Sequence, residues 1–387
     1  MRYFAFILAA CGLAAISAAL VPAKTGERWT LQYFYDEERS KLELVDLAFP
    51  TAQHGIAVGW TGDPTNDKKV KPTEVLTNDG GAHWMLEPLK DEPRSIFFLN
   101  DSLGWMVTED GIWGTTEGGL NWRKLCNQPK PNEKLGPVTP GGLILRVWFL
   151  SEQHGYAVGY QKTMLETNDG GKTWKPVEEA AKPAANPAFT AYSRIVFDGD
   201  HGLVIGAAIP PRRDLGRFPS WMQPDVAAKA RAVPNVTLLL ETRDGGHTWM
   251  SSTSSLFGLV TTIRMAGNLG LNVFGFAESF QWPSEVYSID FSTGKSVSTF
   301  HEKNRRVFDA AVFHGPYGVL AAVEPPGQLN TVPIPGKVKM LQSTDLNEWQ
   351  EMDVDYRAVA TALSLAGPDR DHLWVATDTG MILHLSK

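Results

Sequence analysis

Cysteine is almost missing from this chain: of 387 residues, only Cys11 and Cys126 carry a thiol. Cys11 falls in an N-terminal leader, so no disulfide can form within the remainder, and stability has to come from packing. Basic runs are missing too. Lys and Arg number 36 against 43 Asp and Glu, a net charge of −7, which argues against a nucleic-acid partner. Beyond residue 21 no apolar stretch is long enough to cross a bilayer as a helix. Cys126 has neither a CxxC context nor an evident His partner, so thiol catalysis finds no support. No metal set and no cofactor is expected.

What is present begins with Arg2 and an apolar run from Tyr3 to Val21, followed by "VPAK". This reads as an export signal, residues 1–23, cleaved after Ala23. A second reading takes "LAAC", Leu8–Cys11, as a lipoprotein signal ending before Cys11, whose thiol would then carry a lipid. On either reading the protein is exported, to the periplasm or beyond. Its contact with a membrane comes only through that lipid. Residues 24–387 are expected to form a single domain.

That domain is repetitive. "TNDGGAHW" (77–84), "TTEGGLNW" (115–122), "TNDGGKTW" (167–174) and "TRDGGHTW" (242–249) are variants of one phrase. Each lies between β-type runs, so the Asp-Gly-Gly core reads as a hairpin turn, and the Trp restarts a strand. "HGIAVG", "HGYAVG" and "HGLVIG" precede three copies, with "LGWMV" before the other. Upstream of these lie the apolar runs "LVDLAF", "RSIFFL", "RVWFL" and "RIVF". The unit is four strands in roughly 40–50 residues, the period of a propeller blade. Clear copies span 44–89, 94–125, 144–177 and 192–253. A worn fifth spans about 260–300 and a sixth 307–352, where "STDLNEW" keeps Asp345 and Trp349, with Asn347 expected in the left-handed position. A seventh over 359–387 supplies three strands. The segment "TGERWTLQYFY", with Trp29 in the tryptophan place, would be its fourth. The expected fold is therefore all-β: a monomeric, seven-bladed β-propeller of four-stranded antiparallel blades, its ring closed by an N-terminal strand completing the last blade.

The phrase T-x-D-G-G-x-T-W after "GxAVG" resembles the Asp-box (BNR) repeat. In this spacing it is most similar to the photosystem II assembly and stability factor family and its bacterial relatives. That resemblance covers nearly all of the mature chain. It implies a non-catalytic partner for assembling a membrane or envelope protein complex. Asp79, Gly80, Trp84, Glu117, Trp122, Asp169, Gly170, Trp174, Asp244, Gly245, Trp249, Asp345 and Trp349 hold the motif positions and are expected to be architectural. His54, His154 and His201 occupy equivalent places in different blades, which would keep them apart rather than around one ion.

Function is expected on the loops. The long connections 61–72, 127–143, 178–191, 207–236, 276–285 and 324–337 would all emerge on one face, where recognition resides. The 207–236 insertion carries Arg212, Arg213, Arg217 and Trp221, with "PDVAAKARAV" read as a short helix. Phe280 and Trp282 stand on the neighbouring blade, and these six side chains are the expected contact with a protein partner. Asp-box repeats also occur in sialidases and glucan-cleaving glycosidases. A hydrolase would need two carboxylates from Asp63, Asp214, Asp225, Glu278, Glu285 and Glu324, and no spacing singles out a pair. A non-catalytic carbohydrate-binding propeller, using Trp221 and Trp282 as stacking platforms, is the third reading.

Overall fold

A computed structural model describes residues 26–63, 66–135, 142–209, 234–276, 281–324 and 334–386, with backbone alone for 66–69. Among these, helix is confined to short 3-10 segments at Glu133–Leu135, Glu178–Ala181 and Pro187–Phe189. Everything else regular is strand. Five four-stranded antiparallel sheets follow one another along the chain, over 41–88, 93–127, 144–176, 190–256 and 259–300. A nine-stranded sheet follows, with two arms. One arm comprises Arg306–Phe313, Tyr317–Glu324, Gly336–Ser343 and Gln350–Val354. The other comprises Leu363–Asp369, His372–Thr377 and Met381–Ser386, and its fourth strand comes from the far end of the chain, Arg28–Phe34.

The N-terminal strand pairs antiparallel with Met381–Ser386, placing Trp29 opposite Leu385. A short parallel pairing, Arg28 with Asp353 and Trp29 with Val354, joins the two arms. Trp29 is fully buried at this junction, and its indole Nε1–H reaches Met352 Sδ at 3.4 Å. Val359 and Ala360, expected at the start of the last unit, pair instead with Lys337 and Gly336 of the preceding arm. The reason is local: the turn Asp355–Ala358 folds the chain back, and Val338 N–H donates to the Ala358 carbonyl.

The first strand of each sheet touches the first strand of the next, and Leu363–Asp369 returns to Lys41–Ala48, so the first strands form a closed circle. Six of them, the first strands of the five sheets and of the 306–354 arm, carry a register slip: at Leu44/Asp46, Pro93/Ser95, Ile144/Arg146, Tyr192/Arg194, Val260/Thr262 and Val307/Asp309. Such a bulge leaves one residue outside the ladder and bends the strand. Here the freed groups bond across to the next sheet. Ile96 N–H donates to Asp46 Oδ2 at 3.0 Å, and Ser95 Oγ to the Leu145 carbonyl at 2.8 Å. Arg194 Nε donates to the Thr261 carbonyl, and Thr262 Oγ1 to the Phe308 carbonyl at 3.1 Å. Leu365 N–H donates to Asp309 Oδ2 at 2.9 Å, and Ser364 Oγ to the Val45 carbonyl at 3.4 Å. The result is a polar girdle linking every neighbour except the third sheet to the fourth, where Tyr156 stacks on Phe197 with centroids 5.7 Å apart and its hydroxyl donates to the Gly246 carbonyl.

The glycines near the start of the second strands have a packing cause. A Cβ on Gly55, Gly104, Gly155 or Gly202 would clash with ring carbons of Phe49, Phe98, Phe149 or Phe197 respectively, all closer than 3.0 Å. Those phenylalanines end the first strands, so the second strand must pass directly beneath an aromatic face. One expectation fails. The segment 61–72 is not a loop: strands Gly55–Asp63 and Asn66–Thr77 continue as a ladder, pairing Thr61 with Lys71 and Gly62 with Val70. Its β-branched residues extend the hairpin despite Pro72.

The girdle makes a prediction. Asp309 accepts from Arg264 Nη2 (2.7 Å), Ala310 N–H and Leu365 N–H, and is nearly buried. Asp309→Ala should lower unfolding free energy by about 3 kcal/mol, because Arg264 and two amides lose their acceptor. Urea midpoints test this; a loss below about 1 kcal/mol would show that the girdle does not hold the sheets together.

Candidate binding face

Strands alternate in direction within each sheet. Connections from second to third strand, and from one sheet to the next, therefore leave at one end; the repeated Asp-Gly-Gly turns leave at the other.

The turn face is built from short local bonds. In the third sheet, Asp169 Oδ1 accepts from Thr167 Oγ1 (2.9 Å), Lys172 N–H (3.0 Å) and Thr173 N–H (2.9 Å), and Oδ2 accepts from Thr173 Oγ1 at 2.6 Å. Thr167 Oγ1 in turn accepts from Gly171 N–H. Gly170 and Gly171 sit at φ of 77° and 91°, which glycine adopts without strain. Asp79 and Asp244 repeat this arrangement. Glu117 in the second sheet bonds Asn121 Nδ2 instead. Asp345 accepts from Asn347 N–H and Glu348 N–H, and the left-handed residue there is Leu346, at φ 61°, rather than Asn347. Asn347 is instead held by hydrogen bonds from its own amide groups to Asp345. Gly80, Gly118, Gly170 and Gly245 donate to the carbonyls of Gln53, Ser102, Gln153 and Asp200, docking each turn on its neighbour.

The motif tryptophans reach further than their own hairpins. Trp84, Trp122, Trp174 and Trp249 pack edge-on against Phe49, Phe98, Phe149 and Phe197. Trp349 Nε1 reaches Thr299 Oγ1 of the preceding sheet. The histidines are far from one another in the fold and each bonds within its own sheet: His54 with Asn78 (2.7 Å), His154 with Glu166 (2.9 Å) and His201 with Glu241 (2.9 Å). Among the described residues, no group of three or more His, Cys, Asp or Glu is placed to hold a metal ion.

The opposite face carries the long loops. Phe34, Ile209, Leu256, Phe257, Ile334 and Tyr356 are exposed there, with Tyr356 at 87%. Leu256 and Phe257 join the fourth sheet to the fifth, and Ile209 ends the second strand of the fourth. Within the channel, Arg146 pairs with Asp46 (3.3 Å) and Arg264 with Asp309 (2.7 Å). Arg194 lies between the two other arginines and bonds only backbone carbonyls. Loss of water, then repulsion from Arg146 and Arg264, pushes its pKa down to about 9, while Asp309 and Asp46 oppose the shift. It is still a cation at neutral pH. Polar residues interrupting otherwise apolar runs, as Asp46 does in "LVDLAF", were the sequence signal for this lining.

Arg212, Arg213, Arg217, Trp221 and Phe280 lie outside the described residues, as do the expected helix, Asp214, Asp225, Glu278 and the 1–23 leader. Trp282 is described: its indole lies against the His301 ring, with centroids 4.3 Å apart. Glu285 accepts from Ser298 Oγ, and Glu324 lies between Arg305 (3.8 Å) and Lys339 (3.9 Å), so both carboxylates are engaged by their own surroundings. Among the described residues, no helix is long and apolar enough to cross a membrane.

Four-stranded sheets whose first strands succeed one another in a closed circle define a β-propeller. A solved structure of YCF48 bound to D1 peptide superposes over 92% of this chain and 99% of that one, with a TM-score of 0.56 at 16% identity, a likeness of fold. The family model described as Photosynthesis system II assembly factor YCF48 matches residues 137–210, the third sheet and the start of the fourth. The photosystem II assembly lipoprotein Ycf48 of Synechococcus is 28% identical over 172 residues, 42% of this chain and 44% of that protein. The photosystem II assembly protein Ycf48 of Thermosynechococcus vestitus is 22% identical over 256 residues, 62% of this chain and 68% of that protein. The chain is thus a β-propeller resembling the photosystem II assembly factors, although it spans less than half the length of the Synechococcus relative.

The turns respond to acid in a defined direction. Hydrogen bonds to Thr173, Thr248 and His83 hold Asp169, Asp244 and Asp79 at about 2, below the ordinary carboxylate value. A carboxylate depressed on folding contributes stability above its unfolded pKa near ~4 and loses it as pH falls toward ~2. The protection factors of the Thr173 and Thr248 amides, the observed exchange rates relative to the intrinsic rates at each pH, should therefore fall across that window. In Asp169→Ala, the Thr173 protection factor should be low at every pH; unchanged protection would refute the assignment.

Proposed function

We propose that this protein is an exported, seven-bladed, non-catalytic propeller. It binds a segment of a membrane-associated protein through its long-loop face and serves as an assembly or stability factor for that partner's complex. The observation that carries this reading is that Phe34, Ile209, Leu256, Phe257, Ile334 and Tyr356 are exposed large apolar side chains at the ends of strands and in the connections on that face, while Met85, Leu86, Leu120, Met250 and Val297 are exposed elsewhere. Exposed apolar clusters on a rigid scaffold mark protein contacts. The likeness to YCF48, solved with a D1 peptide, supports a peptide segment as the bound element. Seven blades are supported by the closed circle of first strands, with Arg28–Phe34 as the seal.

The remaining assignments belong to the same proposal. Residues 1–23 form the export signal, residues 24–387 one monomeric domain, and Arg212, Arg213, Arg217, Trp221, Phe280 and Trp282 the rim of the contact. On the alternative reading, in which the signal ends before Cys11, a lipid on that residue would add membrane anchorage, in keeping with the lipoprotein naming of the Synechococcus and Nostoc relatives.

Tagged mature protein should enrich a specific membrane protein from detergent-solubilised envelope. Two variants should lose at least about tenfold of that enrichment, the scale of one buried apolar anchor. One replaces residues 210–233 with a short Gly-Ser linker; the other is Phe257→Asp. Quantitative mass spectrometry reads the result. Equal recovery by all three baits would rule out this face as the contact.

A further inference from the structure

Between the first and second sheets runs a cleft of about 180 Å³. Glu74 and Glu87 come from the first sheet, Met106, Trp113 and Trp122 from the second, and Leu120 from the second sheet's turn. Glu74 is 3% exposed. Its Oε2 accepts from Trp122 Nε1 at 2.9 Å, and among the described residues no donor reaches Oε1.

The repeat supplies an internal control for this residue. Counting three residues back from the Thr or Ser that opens each turn (Thr77, Thr115, Thr167, Thr242, Ser343) gives Glu74, Ile112, Met164, Leu239 and Met340. Every other copy puts an apolar side chain there. The fold therefore does not need a carboxylate at this position, and burying one costs desolvation energy. A second carboxylate makes matters worse. Glu87 stands directly across the ladder from Glu74, and like charges in that relation repel. Glu74, buried and with one oxygen unbonded, and Glu87, exposed on the adjoining strand, line a cleft that also holds the Trp113 and Trp122 indoles, and such a set is a host for a cation.

We propose that this cleft is a recognition site for an organic cation: the ammonium or guanidinium end of a lysine or arginine side chain on an extended partner segment. Indole rings accept the flat guanidinium or the alkyl stem, and the two carboxylates neutralise the charge. The charged groups facing Glu74 are Glu87 on the adjacent strand, and Lys90 and Asp91 on the connection to the second sheet; the second sheet contributes none to the lining. Asp91 is occupied by Thr108 and Trp113. Burial, with a smaller contribution from Glu87, raises the Glu74 pKa to about 7, while the Trp122 hydrogen bond opposes the shift. The cation binds the ionised form, so affinity rises with pH.

The full chain, labelled with ¹⁵N-tryptophan, would be titrated with n-butylammonium and with N-acetyl-argininamide. N-acetyl-norleucinamide serves as the neutral control, and the Trp122 indole N–H resonance is the readout. Both cations should shift that resonance saturably and the control should not. Binding should be about tenfold tighter at pH 8 than at pH 6, the ratio of ionised Glu74. Glu74→Gln should weaken it at least tenfold. Glu74→Met, which copies the third sheet and the 306–354 arm, should abolish binding while leaving the unfolding midpoint equal or higher at pH 8. Equal shifts in Glu74→Met, or an equal response to the neutral control, overturn the proposal. So does loss of folding in Glu74→Met without cation binding by the parent chain, which would leave Glu74 as a support for the Trp122 indole alone.

Discussion

The bulge in the inner strands is the constraint on which the ring depends. A propeller sheet has no partner strand on its inner side, so the groups facing the channel would otherwise be left to water. One extra residue per strand turns a side chain or an amide toward the neighbouring sheet. Asp46 then meets Ile96, Ser95 meets Leu145, and Asp309 meets Leu365. The girdle reads as a chain of one-to-next bonds, and its polar members sit where an apolar residue could not replace them without orphaning a backbone group.

Aromatic packing does the same work further out. Trp105 lies flat on Phe149 and Trp374 on Phe49, with centroids 3.5 and 3.7 Å apart, and the motif tryptophans close each contact edge-on. These rings span two sheets, so neighbouring units share one core. A chain without internal disulfides can rely on this because no unit has to be stable alone. Closure by Arg28–Phe34 extends the logic to the ends: the last arm borrows its outer strand from the N-terminus, and the fully buried Trp29 locks it.

Such a scaffold leaves function to places where the repeat is broken. The long-loop face breaks it by length and by exposed apolar residues. The cleft at Glu74 breaks it by chemistry, with a buried acid where the other units place Ile112, Met164, Leu239 and Met340. The channel varies it by charge: the residues that follow the bulges are Asp46, Ser95, Arg146, Arg194, Thr262 and Asp309, two acids and two arginines among two neutral side chains. A repeat protein carries its own reference set, and departures from it are more informative than the motif.

The sequence by itself determined the local part. Asp-Gly-Gly turns depend on residues two to four positions apart, such as Thr167, Asp169 and Thr173, so their spacing was legible, as were the sheet limits within a few residues. Pairing of the first strand with the last was legible too, because Trp29 matched a motif left without its blade. Only the tertiary structure decided which side chains cross between sheets. Asp46 and Arg146 are 100 residues apart, and no local pattern encodes their meeting. The ladder at 61–72 was misjudged because Gly, Asp and Pro read as loop, whereas pairing along the neighbouring strand outweighed propensity. Glu74 was visible as a letter but not as a site. Its meaning depends on burial and on Trp122 from the next sheet, and both exist only once the two sheets are packed together.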